Sequence, residues 1–139
     1  MPLAETPSSP TSQLFNLDGK IALVTGGSRG TSFLHQPRLT GSGIGASVAL
    51  ALSEAGARVV LAQRDVSNTQ TRDQIRSQGG ECDIVPCDLS IREDAAGVVD
   101  RALALVDHID ILVNNGGMLQ RADSVDVTGE EWDYVSQLY

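Results

Sequence analysis

Cysteine, positive charge and long apolar runs are all scarce in this sequence, and each scarcity closes a class of function. The two cysteines, Cys82 and Cys87, lie five apart in a stretch that otherwise reads as a strand, without the second pair that a zinc site needs. They are expected as reduced core thiols, and no metal site is expected. Ten basic residues face eighteen acidic ones, and the net charge of -8 repels nucleic acid and anionic membrane over most of the surface. A phosphate-bearing ligand therefore needs local backbone donors and one or two well-placed arginines. The longest apolar stretches, such as residues 46–52, fall far short of a bilayer's width. Residues 1–13 are rich in Pro, Ser and Thr, lack the basic-then-apolar order of a signal peptide and read as a disordered tail. The expectation is a cytoplasmic chain that engages neither nucleic acid nor membrane.

What is present is a regular alternation. Residues 20–25 form a short apolar run ending at a glycine cluster, the pattern of a buried parallel strand feeding a turn. Ile44, Val48, Leu52 and Ala55 recur at helical spacing, and Gly56 stands where a C-cap glycine would. Residues 58–63 read as a second strand. A polar helix follows, with Ser67 and Asn68 as its caps, Gly79 and Gly80 as its stop and little apolar surface besides Ile75. Residues 83–87 predict a third strand, with Pro86 near its end where a missing donor is tolerable. Ser90 and Glu93 predict a capping box for a helix carrying Ala95, Val98, Val99, Ala102 and Leu105 on one face. Residues 109–113 supply a fourth strand. Thr128 and Glu131 repeat the capping box before a helix with Trp132, Val135 and Tyr139 on one stripe. This rhythm predicts an α/β fold: a Rossmann-type doubly wound parallel sheet, truncated to about four strands in the order third, second, first, fourth. Ligands of such sheets bind beyond the carboxyl ends of the strands.

The cluster Thr25-Gly26-Gly27-Ser28-Arg29-Gly30 follows the first strand, where a nucleotide-binding fold needs glycines for a tight turn and for close approach of a pyrophosphate. A plain structural turn has the same composition, so the order of further features matters. After the third strand comes Asp88, and at the end of the fourth comes Leu112-Val113-Asn114-Asn115-Gly116-Gly117. This order resembles the short-chain dehydrogenase/reductase family, whose hallmarks are a TGxxxGxG loop and a later NNAG motif. The resemblance covers about residues 14–137 and implies an NAD(P)-dependent oxidoreductase. By that resemblance Gly26, Ser28, Arg29 and Gly30 form the phosphate loop, and Ile44 and Gly45 end the motif and start its helix. Asp88 would hold the adenine amino group, its competing reading being a solvated residue near the next helix cap. Asn115, Gly116 and Gly117 would lay their backbone against the cofactor ribose. Gly116 stands where the family usually has alanine, which is expected to loosen the loop.

The end of the second strand selects the cofactor, because an acidic side chain there accepts from a ribose 2′-hydroxyl whereas arginine accommodates a 2′-phosphate. Gln63 occupies the usual acidic position and Arg64 the next, which leans toward NADP, while Asp65 leaves NAD open. The run of residues 61–69 and the polar stretch after Asn115 look most like sugar-acid dehydrogenases, with 2-deoxy-D-gluconate 3-dehydrogenases nearest.

Two departures from the family pattern bear on function. Thirteen residues, 31–43, separate Gly30 from Ile44, and deleting them restores TGGSRGIG without a gap. A floppy insertion there is expected to impair cofactor binding, because backbone donors and a helix N-terminus must converge on one pyrophosphate. Family members also use a tyrosine as acid and base, a lysine four residues later that lowers its pKa, and a serine that orients the substrate. The sequence holds a single lysine, Lys20, ahead of the first strand, so neither Tyr134 nor Tyr139 has that partner. A tyrosine left near a pKa of about 10 is a poor proton donor at neutral pH. The expectation is an N-terminal part of an oxidoreductase, inactive by itself and without catalytic residues. The alternatives are a non-catalytic nucleotide-binding module and a regulatory fragment that pairs with an intact homologous subunit.

Overall fold

The computed structural model describes residues 14–27, 43–117, 123 and 125–136. The predicted tail at 1–13, insertion residues 31–42, Ser28, Arg29, Gly30 and Tyr139 lie outside the described residues. The elements run β1 (Ile21–Thr25), α1 (Ile44–Glu54), β2 (Arg58–Gln63), α2 (Gln70–Ser77), β3 (Cys82–Pro86), α3 (Arg92–Ala96), α4 (Val98–Leu103), β4 (Ile111–Val113) and α5 (Gly129–Ser136). The sheet order is β3-β2-β1-β4, as expected, and every pairing is parallel. No helix among the described residues is long and apolar enough to cross a membrane.

Two apolar layers follow from the alternation of side chains across a strand. Ile21, Leu23, Val60, Ala62, Val85 and Cys87 share one face with Val98, Ala102 and Val106. Val24, Val59, Leu61 and Cys82 share the other with Ala49 of α1 and Ile75 of α2. Leu23 and Leu61 are completely enclosed, and burial of each stabilises the fold by roughly 1.5–3 kcal/mol. Both cysteines are free and buried, on opposite faces of the sheet. Burial pushes the Cys82 thiol up to about 12.

Helix α1 ends as predicted. Gly56 adopts φ 104°, its N–H donates to Ser53 O (2.9 Å), and Ala57 N–H donates to Leu52 O (3.0 Å), which together form a Schellman motif. Its buried stripe differs from the expected one. Ile44 is 76% exposed, and the fully buried residues are Gly45, Ala46 and Ala49. The helix lies close against the end of β1, where only small side chains fit, so size outweighs hydropathy in choosing the inward face.

The expected capping box of Ser90 and Glu93 does not form. The Asp88 carboxylate accepts both the Ser90 N–H (3.0 Å) and the Ser90 hydroxyl (2.6 Å), and Ile91 becomes the N-cap without a side-chain cap. A charged acceptor two residues away outcompetes the helix end. The expected single helix is interrupted at Gly97, and Val99 and Leu105 are exposed while Val98 and Ala102 are buried. Ser67 does not cap α2, whereas Asn68 Oδ1 accepts the N–H of Gln70, the first residue of the helix (3.4 Å), with Thr69 in the N-cap position. Ser67 is instead engaged by the Asp65 carboxylate. The second capping box is present. Thr128 N–H donates to Glu131 Oε2 (2.9 Å) and Glu131 N–H donates to Thr128 Oγ1 (3.2 Å). Trp132 on that helix is exposed and Val135 half-buried.

Candidate functional site at the carboxyl edge of the sheet

The strand order sets Asp88, Arg64, Gly26 and Asn115 in a row, each following the carboxyl end of its strand. At the centre, Gly26 continues the ladder of β1 by donating to Ala62 O (2.9 Å) and then turns with φ 70°. Three close approaches converge there. A Cβ on Gly26 would lie 2.8 Å from Gly116 Cα, and a Cβ on Gly45 would lie 2.6 Å from Gly26 O and collide with the Asn115 amide nitrogen. The glycine turn, the first turn of α1 and the segment after β4 therefore meet at van der Waals distance, which only glycine permits.

Asn115 and Thr25 lock this meeting point. Asn115 Nδ2 donates to Thr25 O (3.1 Å) and Gly26 O (3.3 Å). Thr25 Oγ1 accepts from Asn115 N–H (3.1 Å) and Gly116 N–H (2.9 Å) and donates to Val113 O (3.3 Å). The residue expected to loosen the loop, Gly116, is packed instead. A Cβ there would collide with Leu89 Cδ1 and lie 3.2 Å from Thr25 Oγ1. Gly117 beside it is exposed. On the other flank, Thr71 Oγ1 donates to Gly27 O (3.1 Å) and ties α2 to the glycine turn. Thr25 and Thr71 are both buried and were not singled out from the sequence. Thr25 carried a signal, as the last residue of a buried strand before a glycine pair, whereas Thr71 carried none.

Helix α1 points its N-terminus into this junction. Its first intrahelical bond is Ser47 N–H to Gly43 O (3.0 Å), so the N–H groups of Ile44, Gly45 and Ala46 precede the ladder. Such amides, with the helix dipole behind them, favour an anion.

Along the row, Arg64 is half exposed and its Nη1 lies 4.0 Å from Asp88 Oδ2. The Ser90 hydroxyl, then the Ser90 N–H, hold the Asp88 carboxyl below the usual carboxylate range, with Arg64 adding to the effect. Gln63 is 2% exposed and points inward, its amide nitrogen donating to Asp65 O (2.7 Å) and Asn68 O (2.8 Å). A cavity of about 800 Å³ lies at the opposite end of the sheet, between Lys20, Arg58, Gly80 and His108. It is separate from the junction of strand ends and helix N-terminus, which is where ligands of an open parallel sheet bind.

Comparison with known proteins agrees with this fold. A family model described as enoyl-(acyl carrier protein) reductase matches residues 39–138. A 2-dehydro-3-deoxy-D-gluconate 5-dehydrogenase of Escherichia coli (strain K12) is 34% identical over 124 residues, covering 89% of this chain and 44% of that protein. A crystal structure of a 3-oxoacyl (acyl-carrier-protein) reductase from Agrobacterium tumefaciens C58 with NADP bound superposes with a TM-score of 0.77 at 29% identity, covering 95% of this chain and 46% of the other. A short-chain type dehydrogenase/reductase from Mycobacterium marinum gives a TM-score of 0.76 at 33% identity, covering 91% and 45%. The chain has an α/β fold with a parallel sheet and a glycine turn after its first strand. The chain belongs to the short-chain dehydrogenase/reductase family. It spans less than half the length of these relatives.

Proposed function

We propose that residues 14–139 form part of a dinucleotide-binding domain of an NAD(P)-dependent oxidoreductase, that the cofactor is NADP in preference to NAD, and that the substrate is a sugar acid or a similar alcohol or carbonyl. The observation that carries this reading is the convergence of Gly26, Gly45 and Asn115 within a space that a single Cβ would fill. When bound, the cofactor supplies the hydride acceptor or donor. The chain's own residues bind and orient it. Gly26 and Gly45 let the glycine turn, α1 and the segment after β4 pack together, which sets the amides of Ile44 and Gly45 to face the pyrophosphate, with Ser28, Arg29 and Gly30 assigned to the same loop by family position. Asp88 takes the adenine end, Arg64 the ribose 2′-position, and Asn115, Gly116 and Gly117 the second ribose. The sugar-acid assignment is supported by the dehydrogenase similarity to the Escherichia coli protein.

The 139-residue polypeptide does not turn over by itself on this reading. Its single lysine, Lys20, sits at the amino end of β1 and is paired with Asp110 at 2.9 Å, at the far end of the strand from the glycine turn. The test is calorimetric titration with NADPH and NADH alongside a carbonyl-reduction assay. The expected result is NADPH binding without turnover, and tighter binding after deletion of residues 31–43. Absence of binding in both the intact and the deleted chain refutes the cofactor assignment. Equal or weaker binding after the deletion refutes the assignment of 31–43 as an insertion into the phosphate loop. Turnover by the purified polypeptide refutes its inactivity.

A further inference from the structure

We propose that Gln63 is a positioning residue for cofactor choice: it closes the loop after β2 on itself, so that the ribose 2′-position is read by Arg64 as a phosphate and not by residue 63 as a hydroxyl. The inference rests on the cofactor reading above and deepens it.

At the end of β2, a side chain that accepts a hydrogen bond from a ribose 2′-hydroxyl must present an oxygen to the ligand. Gln63 does the opposite. Its side chain continues the inward parity of Val59 and Leu61, it is 2% exposed, and its amide nitrogen donates to the carbonyls of Asp65 (2.7 Å) and Asn68 (2.8 Å). Two carbonyls can only accept, so the nitrogen must be the atom that faces them, and Gln63 Oε1 is left enclosed without a partner. A carboxylate in this position would set negative charge against two carbonyl oxygens out of water, a costly arrangement. An acidic side chain that reads a 2′-hydroxyl is therefore disfavoured in this arrangement of the loop.

The same two bonds shape what the loop presents. They fasten the main chain at 65 and 68, and the Asp65 carboxylate draws in the Ser67 N–H (3.0 Å) and hydroxyl (2.6 Å). The closed loop starts at Arg64, whose side chain stays half exposed and faces Asp88 Oδ2 at 4.0 Å. Asp88 is itself fixed through its other oxygen by Ser90, and Cys87 N–H to Gln63 O (3.0 Å) joins the two strand ends. Arg64 is thus a planar, always-charged donor, half exposed at the rim, of the kind that pairs with a phosphate group.

The experiment titrates the full chain with adenosine 2′,5′-bisphosphate and with 5′-AMP, following affinity by calorimetry and the side-chain resonances of Gln63 and Arg64 by NMR. The wild-type chain is expected to prefer the bisphosphate by about tenfold or more, the effect of one charge-assisted contact. Arg64→Ala abolishes the preference. Gln63→Ala lowers it severalfold while leaving 5′-AMP affinity within about twofold, a ratio that general destabilisation would not change. Gln63→Glu gains nothing for 5′-AMP. In the wild type, bisphosphate shifts the Arg64 Nε resonance and leaves the Gln63 amide in place, a reading that stands even where a variant fails to fold. An unchanged ratio in Gln63→Ala, tighter 5′-AMP binding by Gln63→Glu, or a Gln63 resonance that moves with Arg64 overturns the inference alone, whereas a wild type that binds both nucleotides equally overturns the inference and the NADP preference together. A wild type that binds neither overturns the cofactor reading and the inference with it.

Discussion

Replacing Thr25 by valine keeps the shape of a buried side chain and removes one hydroxyl. That hydroxyl accepts from the N–H groups of Asn115 and Gly116 and donates to Val113 O. Thr25 is 4% exposed, so a valine methyl fits the same space, and the change is one of hydrogen bonding alone. Gly116 N–H loses its acceptor, while Asn115 N–H keeps a 3.1 Å bond to Val113 O. A buried donor left unsatisfied costs roughly 1–3 kcal/mol. Gly116 is only half-buried, so water reaches it in part, and with the weakened Asn115 bond the total is roughly 1–2 kcal/mol. For a domain of this size that lowers the melting temperature by roughly 3–10 °C. Thr25→Ser keeps the hydroxyl and loses only a buried methyl, so it is expected to cost about 1 kcal/mol. The assay is thermal unfolding followed by circular dichroism, together with hydrogen exchange at the Gly116 amide, which should accelerate in the valine variant and not in the serine one. A valine variant that melts with wild type, or a serine variant that melts below the valine one, refutes the argument that this hydroxyl holds the β1 and β4 ends together.

Gly45→Ala should destabilise the fold and weaken nucleotide binding, because its Cβ would fall 2.6 Å from Gly26 O and against the Asn115 amide; unchanged melting and affinity would show that α1 can retreat freely. Asp110 is held below the usual carboxylate range first by its hydrogen bond from Lys20, then by the Ile21 N–H. Its depressed folded pKa contributes stability that is present above the unfolded value and lost as pH falls through the folded one. Asp110→Asn should therefore flatten the acid limb of a stability-against-pH curve below about pH 4, and an unaltered acid limb would contradict this. The thiols should resist alkylation at pH 8 in the native chain and react at once in denaturant, because burial pushes Cys82 up to about 12 and raises Cys87; fast native labelling monitored by mass spectrometry would refute their burial. Leu112 on β4 is 54% exposed and Leu103, Leu105 and Trp132 are exposed as well, so the 139-residue polypeptide should self-associate in sedimentation experiments as its concentration rises. A monodisperse monomer at all concentrations would count against that.

Much of the fold was legible because strands and helices leave local periodicities. Residues 58–63 were bounded as they stand in β2, since an unbroken apolar run between an arginine and a polar loop admits one length. β4 was read two residues too long, because Ile109 is apolar for a different reason: it packs on the core from the turn before the strand. The Thr128 and Glu131 cap was read correctly, whereas Ser90 and Glu93, with the same spacing, do not form one. The difference lies outside the motif, in an Asp88 carboxylate that captures Ser90 first.

By itself, then, the sequence determined the α/β alternation, the strand order and the chain positions of the glycine turn, Asp88, Arg64 and Asn115, all of which follow from patterns within a few residues. Only the tertiary structure decided which small residues of α1 face the sheet, that Gln63 turns inward to tie its own loop, and that Thr25 holds Asn115 from 90 residues away. The physical reason is that period and composition specify how a segment folds against an unspecified partner. Close approach of backbones and competition for a hydrogen-bond acceptor depend on which partner arrives.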